Sequence, residues 1–465
     1  MKIKTLVLDT SQTGRRYMQL YESICADILQ GRMKKGDQLP SIRHAAKQLN
    51  ISRTTVENAY QRLLIEGFIV AQPQRGYFVD AEAAQSDLRR EIMTSDIEKQ
   101  ADEEWIDLRT SSIDAEAFDT GVWLHYIKLV LQNHTWLTSY GDSQGEYLLR
   151  KALQKYSYAM RGVLCKEDQI VIGANFQSLL YLICSLYEGK KSIGMEKSGF
   201  IQAEQVFRDC GFTIVYLDHD EEGICVSECL KHELGMLYIN SASSGTQKRA
   251  LHSKRRSELL AYIQQRDVIL LEDDHNGELR YQTKLRPAMQ GFDRSDHIIY
   301  MRSFSKLLLP SIRMSFMVLN ESLSLSYQRK KKNYHPSASK LEQLALAHYL
   351  IDGHMDKQIR QLRKRYEVKS TLMLELLSAH FSSFTATLDE TALQVLMYPR
   401  KQLPLMPYVE KAREHHIFIQ MYGKEALSLS FASLSAQRLT KTLLLLAKLW
   451  EDLVETGGKT GKNVV

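Results

Sequence analysis

The chain has 465 residues, of which 44% are hydrophobic and 25% are charged, the usual balance for a globular protein of two or three domains. No apolar run approaches the roughly 18 residues that a membrane span needs, and the basic N-terminus lacks the apolar stretch of a secretory signal. We therefore expect a cytoplasmic protein without a membrane partner.

The positive charge is concentrated at one end of the chain. The formal net charge is +6, and residues 1–80 alone hold twelve basic against seven acidic residues, a net +5. This asymmetry favours a polyanionic partner for the N-terminal part. The six cysteines are sparse and predict reduced thiols. Cys225, Cys229 and His232 lack the fourth ligand and the tighter cysteine pair typical of a zinc site, so no metal is expected.

Two helices are predicted before residue 50. The first spans Tyr17 to Gln30, where apolar residues recur on one face, and Gly31 ends it. A second, shorter helix follows Ser41, whose hydroxyl suits an N-cap, and closes at Asn50, a residue that tolerates the left-handed conformation.

A third helix, Arg53 to Glu66, carries the functional signal. Ser52 is its expected N-cap, and Thr54, Thr55 and Asn58 lie opposite its apolar stripe. A helix with a short polar N-terminus and a buried back is what insertion into a DNA major groove requires.

Two short strands are predicted after this helix. They are Phe68–Val70 and Tyr77–Val79, joined by a turn that contains Arg75 and Gly76. Such a hairpin forms a wing, and an arginine at its tip is placed to enter a minor groove.

The whole segment LPSIRHAAKQLNISRTTVENAYQRLLIEGFIVAQPQRGYFV resembles the GntR-type winged helix-turn-helix. The resemblance implies a double-stranded DNA operator as partner. The alternative is a helical module whose arginine and threonine side chains contact only solvent. The residues expected to contact DNA are Ser41, Arg43, Ser52, Arg53, Thr54, Thr55, Asn58, Arg75 and Gly76.

Strands and helices alternate in the rest of the chain, which predicts an α/β body with a mostly parallel sheet. The predicted strands are Ile170–Ile172, Ser192–Met195, Thr213–Leu217, Met236–Ile239, Val268–Leu271, Ile298–Met301 and Ser315–Leu319. From about Gln358 the pattern indicates a smaller α+β lobe. We divide the chain into a winged helix (1–80), a linker of mixed charge (81–106) and a body (107–465).

Three segments of the body carry chemistry. LLEDDH (270–275) places acids at the end of a buried strand, where ligands of such sheets bind. SFSKLLLPSIR (303–313) places a lysine just after another strand, and GANFQS (173–178) is a strand-to-helix turn whose amides suit a phosphate. An amine, a carboxylate and phosphate donors are what pyridoxal phosphate (PLP) needs.

These segments resemble fold-type-I aminotransferases, and with the winged helix the chain resembles the MocR/GabR-type subfamily of GntR regulators. By that resemblance Lys306 forms the Schiff base with PLP, Asp273 pairs with the pyridinium nitrogen, and Phe200 contacts the ring face. The full set of expected cofactor contacts is Lys306, Asp273, His275, Phe200, Ser303, Arg313, Ala174, Asn175 and Asn240.

The sequence departs from the family pattern at several of these places. Asn175 and Phe176 replace the usual Gly-Thr, and His275 replaces a tyrosine, with an imidazole expected to titrate near neutrality. Lys424 and Gln202 align with arginines that grip a substrate carboxylate. Lysine lacks the planar fork of arginine, so Lys424, the expected effector contact, disfavours efficient transamination.

Three functions remain open from the sequence. The leading one is a transcription regulator, expected to be a homodimer, whose body senses PLP or an amine that reacts with it. The second is a working aminotransferase fused to a DNA-binding module. The third is a degenerate body that serves only for dimerisation.

Overall fold

The computed structural model describes residues 16–29, 31–73, 75–80, 105–109, 114, 117–197, 200–244, 250–275, 277–282 and 285–457. These residues fall into two compact units, one within residues 1–104 and one within residues 105–465. Most of the predicted linker, residues 81–104, lies outside the described residues.

The first unit has three helices and a hairpin. They are α1 (Arg16–Leu29), α2 (Ile42–Leu49), α3 (Arg53–Ile65), β1 (Ile69–Gln72) and β2 (Gly76–Val79).

The predicted caps of these helices are confirmed. The Ser41 hydroxyl accepts a hydrogen bond from the His44 amide, and the Ser52 hydroxyl accepts one from the Thr55 amide at 3.1 Å. Asn50 takes the left-handed conformation with a φ of 52°, which turns the chain from α2 into α3. The helix-turn-helix geometry therefore follows from three small polar residues.

The second unit contains twelve helices among its described residues. They are α4 (Thr120–Gln132), α5 (His134–Leu137), α6 (Tyr147–Arg161), α7 (Phe176–Leu186), α8 (Ile201–Asp209), α9 (Val226–Cys229), α10 (Ser253–Arg266), α11 (Glu321–Lys330), α12 (Lys340–Ile351), α13 (His354–His380), α14 (Met406–Glu414) and α15 (Ala436–Gly457).

Its strands form a central sheet, a second sheet and short pairs. They are β3 (Ile106–Asp107), β4 (Ile170–Gly173), β5 (Ser192–Glu196), β6 (Thr213–Leu217), β7 (His219–Asp220), β8 (Gly223–Ile224), β9 (Met236–Asn240), β10 (Ile269–Asp273), β11 (Ile298–Ser303), β12 (Ser315–Val318), β13 (Phe384–Asp389), β14 (Gln394–Pro399), β15 (Ile417–Phe418), β16 (Gln420–Tyr422) and β17 (Ala426–Ser430).

The central sheet has seven strands in the order β4-β12-β11-β10-β9-β5-β6. All seven were predicted, with ends within two residues of those in the structure. Only β12 runs antiparallel to its neighbours, β11 and β4. Apolar clusters cover the sheet, as expected of parallel strands buried on both faces. The carboxyl ends of β9, β10 and β11 consequently lie side by side at one edge.

The C-terminal lobe confirms the predicted α+β pattern. It holds the long helix α13 and a four-stranded antiparallel sheet in the order β13-β14-β17-β16. The strand β3 pairs in parallel with β15, so the chain is already part of the second unit at Ile106. Within the part of the chain that the structure describes, no helix is both long and apolar enough to cross a membrane.

Candidate cofactor site and DNA interface

Four predicted cofactor residues lie at or just after the shared carboxyl edge of β9, β10 and β11. Asp273, the last residue of β10, is in register with Asn240 on β9 and Met301 on β11. Lys306 lies in the turn that follows β11, and its ammonium charge acts on His275 just after β10. The strand order therefore brings a carboxylate, an amide and an amine together.

Asp273 is buried, and its two carboxyl oxygens differ in hydrogen bonding. Its Oδ2 accepts a hydrogen bond of 2.5 Å from the Tyr238 hydroxyl, whereas its Oδ1 has no hydrogen-bond partner among the described residues. Burial raises the pKa of Asp273 to about 7, although the bond from Tyr238 opposes the shift. A buried carboxylate oxygen without a partner is costly unless a donor reaches it. A protonated ring nitrogen is such a donor.

Lys306 is buried, and burial lowers the pKa of its amine to about 8, against the attraction of the Asp107 carboxylate. The predicted nucleophile therefore loses its proton more readily than an exposed lysine does. Asp107 was not predicted. It lies in β3 and forms an ion pair with Arg109 through two hydrogen bonds of 2.9 Å. It belongs to no sequence motif that would have predicted its role.

His275 differs from the expectation that it titrates near neutrality. Burial lowers its pKa to about 4, and the nearby Lys306 ammonium lowers it further. The imidazole is therefore neutral at physiological pH, so it can donate one hydrogen bond and accept another. The expectation was wrong because it ignored both desolvation and the neighbouring cation.

The turn that was expected to receive a phosphate is partly occupied by its own hydrogen bonds. The Asn175 side chain caps α7 by accepting a bond of 2.8 Å from the Ser178 amide. The Ala174 amide was expected to bind the phosphate, but it already donates to the Ser337 hydroxyl at 3.2 Å. Asn240 likewise uses its Oδ1 to accept bonds from the next turn, at the amides of residues 242 and 243.

The remaining expected contacts surround this edge at greater exposure. The Ser303 hydroxyl lies 2.9 Å from that of Ser305 in the Lys306 turn. Arg313 is exposed and takes a φ of 50°, a strained conformation for a side-chain-bearing residue. Phe200 begins α8 and packs edge to face on Phe176, with ring centroids 5.7 Å apart.

The two residues aligned with substrate-binding arginines do not join this cluster. Lys424 lies exposed in the turn between β16 and β17, and Gln202 lies exposed on α8. The described hydrogen bonds and ion pairs connect neither of them to Lys306 or Asp273.

A buried ion pair lies next to Asp273 at the end of β10. Arg161 holds Asp274 through two hydrogen bonds of 2.6 and 2.8 Å, to which the Tyr300 hydroxyl adds a third. Burial alone would raise the pKa of Asp274, but the Arg161 guanidinium holds it below its usual value. Two adjacent carboxyl groups, Asp273 and Asp274, thus have opposite environments. Of the two, Asp273 is the one left with an oxygen that no described donor reaches.

The predicted DNA contacts lie at the surface of the first unit. All of them are exposed except Thr55, which is half-buried. Val56, Ala59, Tyr60 and Leu63 bury the opposite face of α3. The wing pairs β1 with β2 in antiparallel register, and the Arg75 guanidinium lies 5.4 Å from the centre of the Phe78 ring.

Two family models match the chain, one over each unit. "Bacterial regulatory proteins, gntR family" matches residues 16–79, and "Aminotransferase class I and II" matches residues 103–443. The order of the two matches is that expected from the sequence.

Among curated proteins, the chain is 31% identical to the HTH-type transcriptional regulator YdeL of Bacillus subtilis (strain 168), over 94% of this chain and 96% of YdeL. It is 27% identical to the probable rhizopine catabolism regulatory protein MocR of Rhizobium meliloti, over 83% and 81% of the two chains. It is 23% identical to the pyridoxine biosynthesis transcriptional regulator PdxR of Corynebacterium glutamicum, over 77% and 78%.

The fold of the body matches solved aminotransferases. The α-aminoadipate aminotransferase LysN of Thermus thermophilus, crystallised with N-(5'-phosphopyridoxyl)-L-leucine, superposes with a TM-score of 0.67. The match covers 76% of this chain and 94% of LysN at 21% identity. With a gntR-family helix-turn-helix in front of an aminotransferase domain, and regulators of the same arrangement as relatives along most of its length, the chain belongs to the MocR-type transcriptional regulators.

Proposed function

We propose that this regulator binds PLP in its aminotransferase-like domain and that PLP occupancy alters the affinity of the winged helix for an operator. The observation that carries the proposal is the pairing of a buried amine, Lys306, with a buried carboxylate, Asp273, whose Oδ1 has no partner among the described residues. Asp273 ends β10 and Lys306 follows the adjacent parallel strand β11, at the edge where ligands of such sheets bind.

The described residues fit PLP on the side of its ring. The Asp273 Oδ1 is the acceptor for the ring nitrogen, and Lys306 is the amine that attaches to the aldehyde. Asn240 and the neutral imidazole of His275 are the donors for the ring oxygen, and Phe200 covers a ring face. When bound, PLP supplies an aldehyde that condenses with amines and a ring that withdraws electrons from them.

The phosphate side fits less closely. Ser303 and Arg313 are the expected partners, together with the start of α7 at Asn175. Because the Ala174 amide already donates to Ser337, we propose that Ser303 and Arg313 carry most of the phosphate charge. Arginine suits this role since its guanidinium binds phosphate through paired hydrogen bonds.

The DNA half of the proposal rests on the exposed N-terminal side of α3. Ser52, Arg53 and Thr54 lie at the start of this helix, where amides and the helix dipole also favour a phosphate. Ser41, Arg43, Thr55, Asn58 and the wing residues Arg75 and Gly76 complete the proposed surface. We propose a homodimer, because an operator with two half-sites matches two-fold symmetry.

A working aminotransferase is the second candidate, favoured by the likeness of the body to LysN. The named relatives favour regulation instead, and the described contacts place no arginine fork where Lys424 and Gln202 lie. The name of PdxR, a pyridoxine biosynthesis regulator, supports PLP itself as the signal. On this proposal an amino acid is held weakly, because a single exposed lysine–carboxylate pair contributes about 1 kcal/mol or less.

The cofactor half is tested by spectroscopy on the purified full chain. Adding PLP is expected to produce a visible absorbance band that survives dialysis, and borohydride is expected to trap PLP on Lys306, as read by peptide mass spectrometry. Lys306→Ala removes the band, whereas Lys424→Ala, the same substitution at an exposed lysine, keeps it. A Lys306→Ala protein with the wild-type band overturns the assignment of the attachment site.

A further inference from the structure

Tyr238 is a residue of the cofactor edge to which neither sequence pattern nor resemblance pointed. It lies on β9, two positions before Asn240, so both side chains project from the same face of the strand. Asn240 is in register with Asp273 on the adjacent strand β10. The long phenol of Tyr238 therefore reaches along the strand to the Asp273 carboxyl, where its hydroxyl donates at 2.5 Å.

From this geometry we infer that Tyr238 is a positioning residue for the cofactor: it holds one oxygen of Asp273 and so directs the other, Oδ1, toward the ring nitrogen of PLP. The inference rests on the proposed binding of PLP and goes beyond it, since it names the residue that sets the protonation of the bound ring.

The two oxygens of the Asp273 carboxyl have different surroundings. One oxygen is bonded to Tyr238 and the other has no partner in the described part of the chain. Both residues are buried, so water does not compete for either oxygen. A carboxylate held at one oxygen cannot rotate freely, and its second oxygen keeps a fixed direction.

The groups around Asp273 and Tyr238 determine how the Asp273 carboxyl is charged. Along its own chain Asp273 lies between the acids Glu272 and Asp274, both of which raise its pKa, whereas a hydrogen bond from the backbone amide of His275 lowers it. The imidazole of His275 is neutral. From β9 the Tyr238 hydroxyl faces it. The positive charge of the Lys306 ammonium lowers the pKa of His275. Tyr238 is therefore the described side chain that stabilises the ionised form of Asp273.

Tyr238 also stays a hydrogen-bond donor at neutral pH. Burial raises its pKa well above 10, and the carboxylates of Asp273 and, more weakly, Glu196 on β5 raise it further. The phenol cannot lose its proton in the range where Asp273 and the ring nitrogen exchange theirs. A hydrogen bond to a charged group changes such an equilibrium by about tenfold to a hundredfold.

The test uses the full chain loaded with PLP that carries nitrogen-15 in its ring, and follows the ring nitrogen by NMR across pH. In Tyr238→Phe the pH at which the ring nitrogen loses its proton is expected to fall by about one to two units. The matched control is Tyr300→Phe, which removes the same hydroxyl from the adjacent carboxylate, Asp274, and is expected to leave the midpoint unchanged.

Two further arms keep the inference decidable. In an Asp273→Asn background, Tyr238→Phe is expected to cause no additional change. If Tyr238→Phe does not fold, 3-fluorotyrosine at position 238 serves instead, and its more acidic phenol is expected to raise the midpoint. An unchanged midpoint in a folded, loaded Tyr238 variant overturns the inference while PLP binding stands. A wild-type chain that takes up no PLP overturns both.

Discussion

At the scale of single residues, the neighbouring acids Asp273 and Asp274 have opposite roles. Asp274 is held by Arg161 and Tyr300, so its charge is balanced inside the protein. Asp273 is buried beside two acids with only a phenol as a described side-chain donor. A buried, poorly balanced carboxylate destabilises the chain without a ligand, and it is the kind of group found at functional sites.

This difference predicts how stability depends on pH. Burial raises the pKa of Asp273 from 3.8 to about 7, so its protonated form contributes stability fully below about pH 4, and this contribution is lost as pH rises through about 7. Asparagine carries no charge, so Asp273→Asn is expected to be more stable than wild type above pH 7, by roughly 4 kcal/mol at most. Melting temperatures of the PLP-free proteins between pH 5 and 8.5 check this.

The matched substitution is Asp274→Asn, which leaves the Arg161 guanidinium buried without its carboxylate. It is expected to destabilise the chain by about 3–5 kcal/mol at neutral pH. If the difference in melting temperature between wild type and Asp273→Asn stayed constant from pH 5 to 8.5, the raised pKa of Asp273 would be contradicted.

The sequence predicts the residues that chemistry names and misses those that only packing brings together. Asp273 and Lys306 are predicted because each follows a buried strand in a motif. Tyr238 resembles any strand tyrosine, although its spacing of two from Asn240 was a usable signal. Asp107 lies more than 160 residues from Asp273 and Lys306, so its approach depends on the tertiary fold alone.

At the scale of elements, α3 and the wing present different chemistry to DNA. Arg53 begins a helix that is buried along its other side, while Arg75 extends from a two-stranded hairpin. A side chain at the start of a recognition helix can reach base edges, whereas a wing arginine adds charge close to the backbone.

We therefore expect the two arginines to contribute differently. Arg53→Ala is expected to cost about 1–3 kcal/mol of operator affinity and to relax sequence preference. Arg75→Ala is expected to weaken binding to all sequences alike and to lower the salt dependence by about one unit of slope. Mobility-shift titrations at several salt concentrations measure both, on duplexes selected by the protein from a random pool.

Arg32→Ala provides the control, because Arg32 is an exposed arginine of the same unit that is paired with Asp27 at 2.6 Å. It is expected to change affinity little. Unchanged operator binding in both Arg53→Ala and Arg75→Ala would show that DNA binds elsewhere.

Elements with strong local signals were predicted well. The seven strands of the central sheet are short apolar runs bounded by turns, and α2 and α3 are marked by serine caps. The two-residue pair of β3 with β15 was missed because such strands carry no periodicity. Its formation depends on contacts between segments more than 300 residues apart.

At the scale of the whole molecule, regulation requires that PLP and DNA alter each other's affinity reciprocally. A nearly complete switch takes a differential affinity of about 5.5 kcal/mol between the two states. Covalent attachment to Lys306, a ring contact from Asp273 and a bound phosphate together provide several interactions that can differ between states. One exposed lysine such as Lys424 does not.

Regulation by PLP is tested by titrating operator affinity with PLP alone, for wild type and Lys306→Ala. PLP is expected to shift the wild-type Kd at least tenfold and to leave that of Lys306→Ala unchanged, and amino acids are expected to change the Kd of the PLP-bound form little. If PLP alone changes neither Kd, or if one amino acid at low concentration is required to shift DNA binding, PLP is not the signal.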